Sequence, residues 1–293
     1  MDLLGQTASN YHCSTNYLKI DNNGPCQQWR TSKIVSIPKK GNTNSLDNQR
    51  GIALACSLPK LLNAVLRNRI LPHLDPLLLG LQSGFRPGRS AVEHITTIRC
   101  VIDLCRTQQN AVSIVFVDFK KAFDSLSRPA IARLLEYYGV PLPLLSAIMS
   151  LYSDTRAFVH TAHGPTEEFN TSSGVLQGDT LSPLLFIIVM DYVLRRCLRD
   201  EDSFVLAPRR SSRHLAVLLP ALAYADDIAL LCRDPTAAQA TLTRLCNEGR
   251  RVGLTVNAKK SCTSVTQQGL HRSHYPAEKK FRRARTFVTS AAE

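Results

Sequence analysis

A pair of adjacent aspartates between two apolar segments is the feature that most constrains this chain. Residues 224–227 read Tyr-Ala-Asp-Asp, and the flanking segments 215–224 and 228–232 are almost wholly apolar. Short apolar segments on either side of a polar pair are typical of two strands joined by a tight turn. We therefore expect Asp226 and Asp227 at the tip of a hairpin.

A third carboxylate lies near the end of another apolar segment. Residues 111–119 are rich in β-branched side chains, with Asp118 near the end, which is the pattern of a strand buried on both faces. If this strand neighbours the hairpin, Asp118 meets Asp226 and Asp227. Three such carboxylates can hold two Mg²⁺ about 3.5–4 Å apart for an in-line phosphoryl transfer. The alternative is that the adjacent aspartates only form a turn, where aspartate is favoured.

Composition and charge limit what these carboxylates can belong to. The chain has 293 residues, of which 44% are hydrophobic; this suffices for one large or two ordinary domains and argues against disorder. A formal net charge of +13 points first to nucleic acid as a partner and second to an anionic membrane surface. No apolar run approaches the ~20 residues needed to cross a bilayer, so we expect no membrane span.

The cysteine pattern bears on the cellular compartment. The nine cysteines are odd in number, scattered, and never spaced as Cys-x-x-Cys. They predict reduced thiols and an intracellular location, while the basic tail leaves both nucleus and cytoplasm open. Cys262, His271 and His274 match no standard zinc spacing, so we predict no zinc site there.

Hydrophobic spacing divides the chain into helices and strands. Residues 1–28 are polar and Asn-rich and are expected to be a poorly ordered lead-in. The predicted helices cover 58–71, 90–105, 128–138, 142–152, 181–198 and 236–252. The predicted strands cover 34–37, 111–119, 156–161, 166–172, 215–224, 228–232 and 254–256.

A glycine-containing segment, 173–183, leads into the helix predicted over 181–198. Its glycines allow the backbone to approach a ligand closely, and the start of the helix directs amides toward an anion. No turn requires such a segment. It therefore favours a ligand site over the interpretation of residues 226 and 227 as a turn alone.

Short motifs along the chain occur in the order found in one family. They are 37–41 running on to 48–54, 82–90, 116–124, 174–183, 224–227 and 253–261. On these motifs the chain resembles a reverse transcriptase of the non-long-terminal-repeat (LINE-type) retrotransposons over about residues 28–266. Several ordered matches are far more specific than one tetrapeptide.

The resemblance implies an α+β fold, the fingers and palm of a polymerase right hand. The reverse transcriptase domain is expected over 29–266, with fingers over about 29–110 and palm over about 111–266. A mixed, ferredoxin-like palm sheet would carry the carboxylates with helices on one face, and a helical finger region with a short basic hairpin would overhang it. The thumb is expected to be missing or vestigial, with a basic tail over 267–293.

The resemblance also implies a two-metal site. Asp118 and Asp226 would be the principal ligands of two Mg²⁺ or Mn²⁺ ions, with Asp227 as the third carboxylate and the Phe119 carbonyl as an additional oxygen. Lys260 would protonate the leaving pyrophosphate, general acid work that contributes about 10²–10⁴ in rate. The alternative for this lysine is a solvated charge.

Further residues would bind the incoming nucleotide. Lys39 and Arg50 would contact its triphosphate, although both could be solvated loop charges. Gln177 would line the nucleotide pocket and help hold the template, or would only bond the turn around it. Phe123, five positions after Asp118, matches the residue that closes on the 2′ position of the sugar and favours deoxynucleotides. Its alternative is a core aromatic.

The leading functional hypothesis is an RNA-directed DNA polymerase that adds dNTPs to the 3′ hydroxyl of a DNA primer on an RNA template. The chain would be a fragment of a longer retrotransposon protein or a decayed copy. One alternative is a catalytically silent, truncated module that binds nucleic acid. Another is an unrelated two-metal phosphohydrolase or nucleotidyl cyclase, which the motifs at 37–54 and 174–183 disfavour.

Overall fold

The computed structural model of this protein describes residues 27–38, 49–54, 56–161, 163–211 and 213–265. Its helices are α1 (Gln27–Arg30), α2 (Ser57–Leu74), α3 (Ala91–Gln108), α4 (Ala122–Ser125), α5 (Arg128–Tyr137), α6 (Leu142–Ser150), α7 (Ser182–Cys197) and α8 (Pro235–Arg251). Its strands are β1 (Thr31–Pro38), β2 (Gln49–Leu54), β3 (Ser113–Val117), β4 (Arg156–Thr161), β5 (Gly164–Pro165), β6 (Phe169–Asn170), β7 (Phe204–Ala207), β8 (Val217–Leu219), β9 (Ala221–Tyr224), β10 (Asp227–Cys232) and β11 (Cys262–Val265).

The palm sheet has the strand order β11-β3-β10-β9. Strand β10 pairs with β3 from Ile228 opposite Val117 to Cys232 opposite Ser113, and with β9 along its other edge. All these pairs are antiparallel, as is the pairing of β11 with β3. The ladders between the described strands are therefore antiparallel. Parallel pairing of the kind expected for a mixed sheet is limited there to an isolated bridge between Gln82 and Ala223 of β9.

Both faces of the palm sheet are covered. Side chains alternate along β3, so that Val115 and Val117 join the larger core while Ile114 joins a second one, as the two-residue period of a strand requires. The larger core contains buried residues of α5, α7 and α8, the helices expected on one face. The second core adds helix α3 and strand β7 on the opposite face.

The finger sheet has the order β2-β1-β4-β5, with β6 also paired to β4. Its strands β4, β5 and β6 come from the range expected for the palm. Strands β1 and β2 form the expected antiparallel hairpin, whereas β1 and β4 are parallel. One backbone bond joins this sheet to the segment before α7, because the Ala53 N–H donates to the Gln177 carbonyl at 2.8 Å. A Cβ on Gly178 would lie 2.9 Å from the Ala53 carbonyl oxygen, so this close approach requires glycine.

Several boundaries differ from the sequence prediction. The segment 215–224 divides into β8 and β9 at Pro220, since proline cannot donate a ladder hydrogen bond. At 254–256 only an isolated bridge forms, between Val256 and Phe119, and the edge strand is β11. Segment 166–172 contributes only the short β6.

Some predictions concern residues outside the described ranges. They are the lead-in up to residue 26, Lys39, and the basic tail together with the state of the thumb. Within the described ranges, no helix combines the length and apolar character needed to cross a membrane.

Candidate active site

The hairpin at 224–227 forms as predicted. Tyr224 pairs with Asp227, so only Ala225 and Asp226 connect β9 to β10. Ala225 has φ +57°, a left-handed conformation that costs a non-glycine residue about 1–2 kcal/mol. The tetrapeptide is therefore a turn whose backbone must be held by its surroundings.

The buried side chain of Gln82 holds this turn. Its Oε1 accepts hydrogen bonds from the N–H groups of Ala225 at 2.9 Å and Gly84 at 2.8 Å, and its Nε2 donates to the Ala225 carbonyl at 3.3 Å. A Cβ on Gly84 would lie 2.2 Å from the Ala225 nitrogen. The sequence analysis quoted 82–90 only as a matching motif, because no local signal distinguishes Gln82 from a surface glutamine.

The structure brings the three predicted carboxylates to one end of the palm sheet. The last β3–β10 pair is Val117 with Ile228. Asp118, just after Val117, therefore lies opposite Asp227, just before Ile228, with Asp226 beside them in the turn. The pKa of Asp227 is raised, first by burial and then by the negative charges of Asp226 and Asp118. The three groups therefore share one electrostatic environment.

The three carboxylates are suitable ligands for a divalent cation, although their oxygens do not converge on a common position. Among the described residues, no three acidic, histidine or cysteine side chains converge as a ready ion site. Mutual repulsion keeps free carboxylates apart, and carboxylate oxygens are the ligands that Mg²⁺ prefers. Asp118, Asp226 and Asp227 thus fit a metal by charge and ligand type, with side-chain movement needed to enclose it.

Asp118 is fixed by the loop before β11. The Asn257 Nδ2 donates to one carboxylate oxygen of Asp118 at 3.0 Å, and the Asn257 N–H donates to the Asp118 carbonyl at 2.7 Å. The Ser261 hydroxyl accepts from the Asp118 N–H at 3.1 Å. Both residues lie in the motif 253–261, in which the sequence analysis had assigned a role only to Lys260.

The Phe119 carbonyl, the predicted additional oxygen, lies in the bridge with Val256. The two backbone bonds of this bridge are made by its neighbours: Lys120 donates to Thr255, and Asn257 donates to Asp118. The carbonyl of Phe119 takes no part in them. Its lone pairs are therefore not committed to the bridge.

Phe123 lies among aromatic rings. It stacks on the buried Phe186 with ring centroids 4.6 Å apart and planes at 13°. Phe85 meets it nearly at right angles, at 6.2 Å and 88°. Phe123 is only partly buried, so it packs in the core and keeps some exposed surface, and the two interpretations of this residue are compatible.

Three of the predicted site side chains that the structure describes, Gln177, Arg50 and Lys260, are at least partly accessible. Gln177 is half-buried, and its side chain has no hydrogen-bond partner within the described ranges; only its backbone carbonyl bonds to the fingers. Arg50 is exposed on β2, opposite Ile37. Lys260 is exposed beyond the Asn257 turn. Arg50 and Lys260 form no ion pair with any described residue.

A buried arginine shapes the start of segment 173–183. The Arg128 guanidinium donates to the carbonyls of Tyr152 at 2.7 Å, Thr171 at 2.8 Å and Gly174 at 3.1 Å. Burial lowers the pKa of Arg128, because desolvation disfavours the charged form. Arg128 was not predicted from the sequence, since a buried arginine cannot be recognised from local pattern.

A buried carboxylate shapes the end of the same segment. Asp179 accepts from the Asn63 side chain at 2.9 Å and from the Thr180 N–H at 2.7 Å. The Ser182 hydroxyl lies 3.4 Å from its other oxygen. Burial raises the pKa of Asp179, although each of these bonds opposes the shift. This contact fixes helix α2 to the start of α7.

Comparison with known proteins gives the family. A sequence profile described as "Reverse transcriptase (RNA-dependent DNA polymerase)" matches residues 37–280. The chain belongs to the reverse transcriptase family. The Pol polyprotein of the type-1 retrotransposable element R2 from Popillia japonica is 30% identical to this chain over 243 residues, covering 82% of this chain and 33% of that protein. The R2DM Pol polyprotein of Drosophila melanogaster is 30% identical over 242 residues, covering 82% and 22%.

These relatives place the reverse transcriptase with the non-long-terminal-repeat type, as the motifs predicted. The chain spans only about a fifth to a third of the length of these two relatives. Among solved structures, apo telomerase from Candida tropicalis, truncated from its C-terminal domain, has a TM-score of 0.60 at 16% identity, covering 85% of this chain and 52% of that one. At that identity the likeness shows the fold, and it confirms the α+β fingers and palm.

Proposed function

We propose that this reverse transcriptase domain is an RNA-directed DNA polymerase, which adds dNTPs to the 3′ hydroxyl of a DNA primer on an RNA template. The observation that supports it best is the carboxylate cluster. Asp118 directly follows β3, Asp227 begins the facing strand β10, Asp226 precedes it in the turn, and the negative charges of both neighbours raise the pKa of Asp227. A cluster of like charges at one sheet end is costly unless it binds cations.

In this proposal Asp118 and Asp226 hold two Mg²⁺ or Mn²⁺ ions, with Asp227 as the third carboxylate and the Phe119 carbonyl as a further oxygen. When bound, such ions activate the attacking hydroxyl and neutralise the leaving pyrophosphate. The protein positions the carboxylates that would bind these ions. The Asn257 amide fixes one oxygen of Asp118 and leaves its other oxygen free to bind.

The fingers supply the nucleotide contacts. Arg50 presents a forked cation suited to phosphate oxygens, and the Ala53 bond to Gln177 ties its strand to the segment before α7. The Gln177 side-chain amide, which has no hydrogen-bond partner among the described residues, is assigned to the nucleotide pocket and the template. The proposal also assigns Lys39 to the triphosphate of the nucleotide. It assigns Lys260 as the general acid that protonates the leaving pyrophosphate.

Selection of the sugar is assigned to Phe123. Its ring is stacked on Phe186, which is fully buried in α7, and this contact limits its rotation. A fixed ring next to the sugar leaves no room for a 2′ hydroxyl. We infer a preference for deoxynucleotides over ribonucleotides.

A second candidate is a catalytically silent module that binds nucleic acid. The formal charge of +13 favours it, because phosphate contacts by Lys and Arg give affinity without any catalysis. The two candidate functions differ only in whether the carboxylate cluster binds metal ions and supports nucleotide addition.

The test is primer extension on poly(rA)·oligo(dT) with dTTP and Mg²⁺. We expect incorporation by the wild type and its loss in Asp226→Asn, with RNA binding retained in both. The control is Asp103→Asn, which removes an exposed carboxylate on α3 and should leave incorporation unchanged. Absence of incorporation in every protein, with RNA still bound, would instead support the silent module.

A further inference from the structure

Phe85 has an unusual backbone for a bulky residue. Its φ is +59°, in the left-handed region that non-glycine residues seldom adopt and that persists only when surrounding structure imposes it. The residue is 46% exposed, so burial of the ring does not explain why the strain is kept. The cause of the strain must therefore lie in the segments on either side of Phe85.

The residues on both sides of Phe85 impose this conformation. On one side, Gln82 and Gly84 are fixed against Ala225 of the catalytic turn. On the other, the buried Arg86 guanidinium bonds the Asp75 carboxylate at 2.7 Å and the Leu79 carbonyl at 2.7 Å. The backbone of Phe85 is thus anchored at both ends, which fixes the direction of its Cα–Cβ bond.

That direction brings the ring to Phe123. The two centroids lie 6.2 Å apart with planes at 88°, the edge-to-face geometry that aromatic pairs favour. Phe123 already stacks on Phe186 at 4.6 Å. With two ring contacts at different angles, Phe123 cannot rotate about its side-chain bonds without losing at least one of them.

We propose that Phe85 is a positioning residue for sugar selection: it holds the Phe123 ring in the orientation that excludes a ribose 2′ hydroxyl. This inference rests on the proposed function of Phe123. A ribonucleotide differs from a deoxynucleotide here by one oxygen atom, so the Phe123 ring must keep its position to exclude it. The contact with Phe85 restricts rotation of the Phe123 ring. Because Gln82 and Phe85 lie in one short segment, the same stretch of backbone holds the turn at Ala225 and Asp226 and the ring of Phe123.

The test compares the ratio of kcat/KM for dTTP to kcat/KM for UTP on poly(rA)·oligo(dT). Removal of an aromatic edge contact predicts a fall in this ratio of about 3- to 10-fold in Phe85→Ala, through faster use of UTP. Phe85→Gly also removes the ring but adopts φ +59° without strain, so it should show the same fall. Phe85→Tyr keeps the ring and should keep the wild-type ratio.

The matched control is Phe169→Ala, since Phe169 is 44% exposed on the short strand β6 of the finger sheet. Its ratio should stay at the wild-type value. An unchanged ratio in Phe85→Ala, or equal losses of dTTP and UTP use, would overturn the role of Phe85 while leaving the polymerase intact. No incorporation by the wild type would overturn the proposed function itself, and this inference with it.

Discussion

The side-chain amide of Gln82 bonds both the N–H and the carbonyl of Ala225, 143 residues away in the chain. Gln82 has no exposed surface, so these bonds are made in a dry environment where their loss is costly. The left-handed Ala225 therefore has its backbone polar groups satisfied by one side chain. This contact sets the position of Asp226, the next residue.

We expect Gln82→Leu to lower the free energy of unfolding by about 2–4 kcal/mol, because it leaves buried backbone groups of Ala225 and Gly84 without partners. Urea titration followed by circular dichroism measures the change. In material that remains folded, primer extension should fall as well, since the turn is released. Gln108→Leu, at the exposed end of α3, is the control and should stay near the wild-type stability.

Gly84→Ala should be destabilising by about 1–3 kcal/mol. The added methyl group would lie 2.2 Å from the Ala225 nitrogen, so the turn or the segment 82–84 must move. Thermal unfolding and primer extension are the measurements. Gly80→Ala is the matched control, because a Cβ at Gly80 meets nothing within 4 Å; equal effects of both substitutions would contradict the steric explanation.

Asn257→Ala should weaken metal binding while leaving the fold intact. It removes the donor that orients the Asp118 carboxylate, and loss of such an orienting bond typically costs about 10–100-fold in metal affinity. We expect a higher Mg²⁺ concentration for half-maximal primer extension and a smaller Mg²⁺-induced rise in Tm. Asn68→Ala, exposed on α2, should change neither quantity.

Asp179 should make stability depend on pH. Burial raises its pKa above the ordinary value of 3.8, so the folded state holds the proton more tightly than the unfolded state does. The stability that this provides is present below pH 3.8 and is lost as pH rises through the higher pKa of the folded state.

The substitution Asp179→Asn removes this titration. Its stability relative to the wild type should therefore increase as pH rises from about 4 to about 7. Urea titrations at several pH values measure the difference. A constant difference across this range would show that Asp179 titrates as an unperturbed carboxyl group.

The amino-acid sequence by itself determined the local elements and the family. Short, nearly continuous apolar segments predicted strands at β3 and β10 and one strand where β8 and β9 lie, and the motifs around Asp118 and Asp226 indicated a reverse transcriptase. These features depend on residues close together in the chain, because hydrophobic periodicity reports which face of an element is buried. The same reasoning placed the third carboxylate, Asp227, at the hairpin.

Only the tertiary structure decided how the site is held. Gln82 meets Ala225 across 143 residues, and Asn257 meets Asp118 across 139. Such bonds leave no local pattern, since a glutamine or asparagine reads as a polar surface residue until its partner is known. The contact of Phe85 with Phe123 is of the same kind, because it depends on where two separate segments cross in the folded chain.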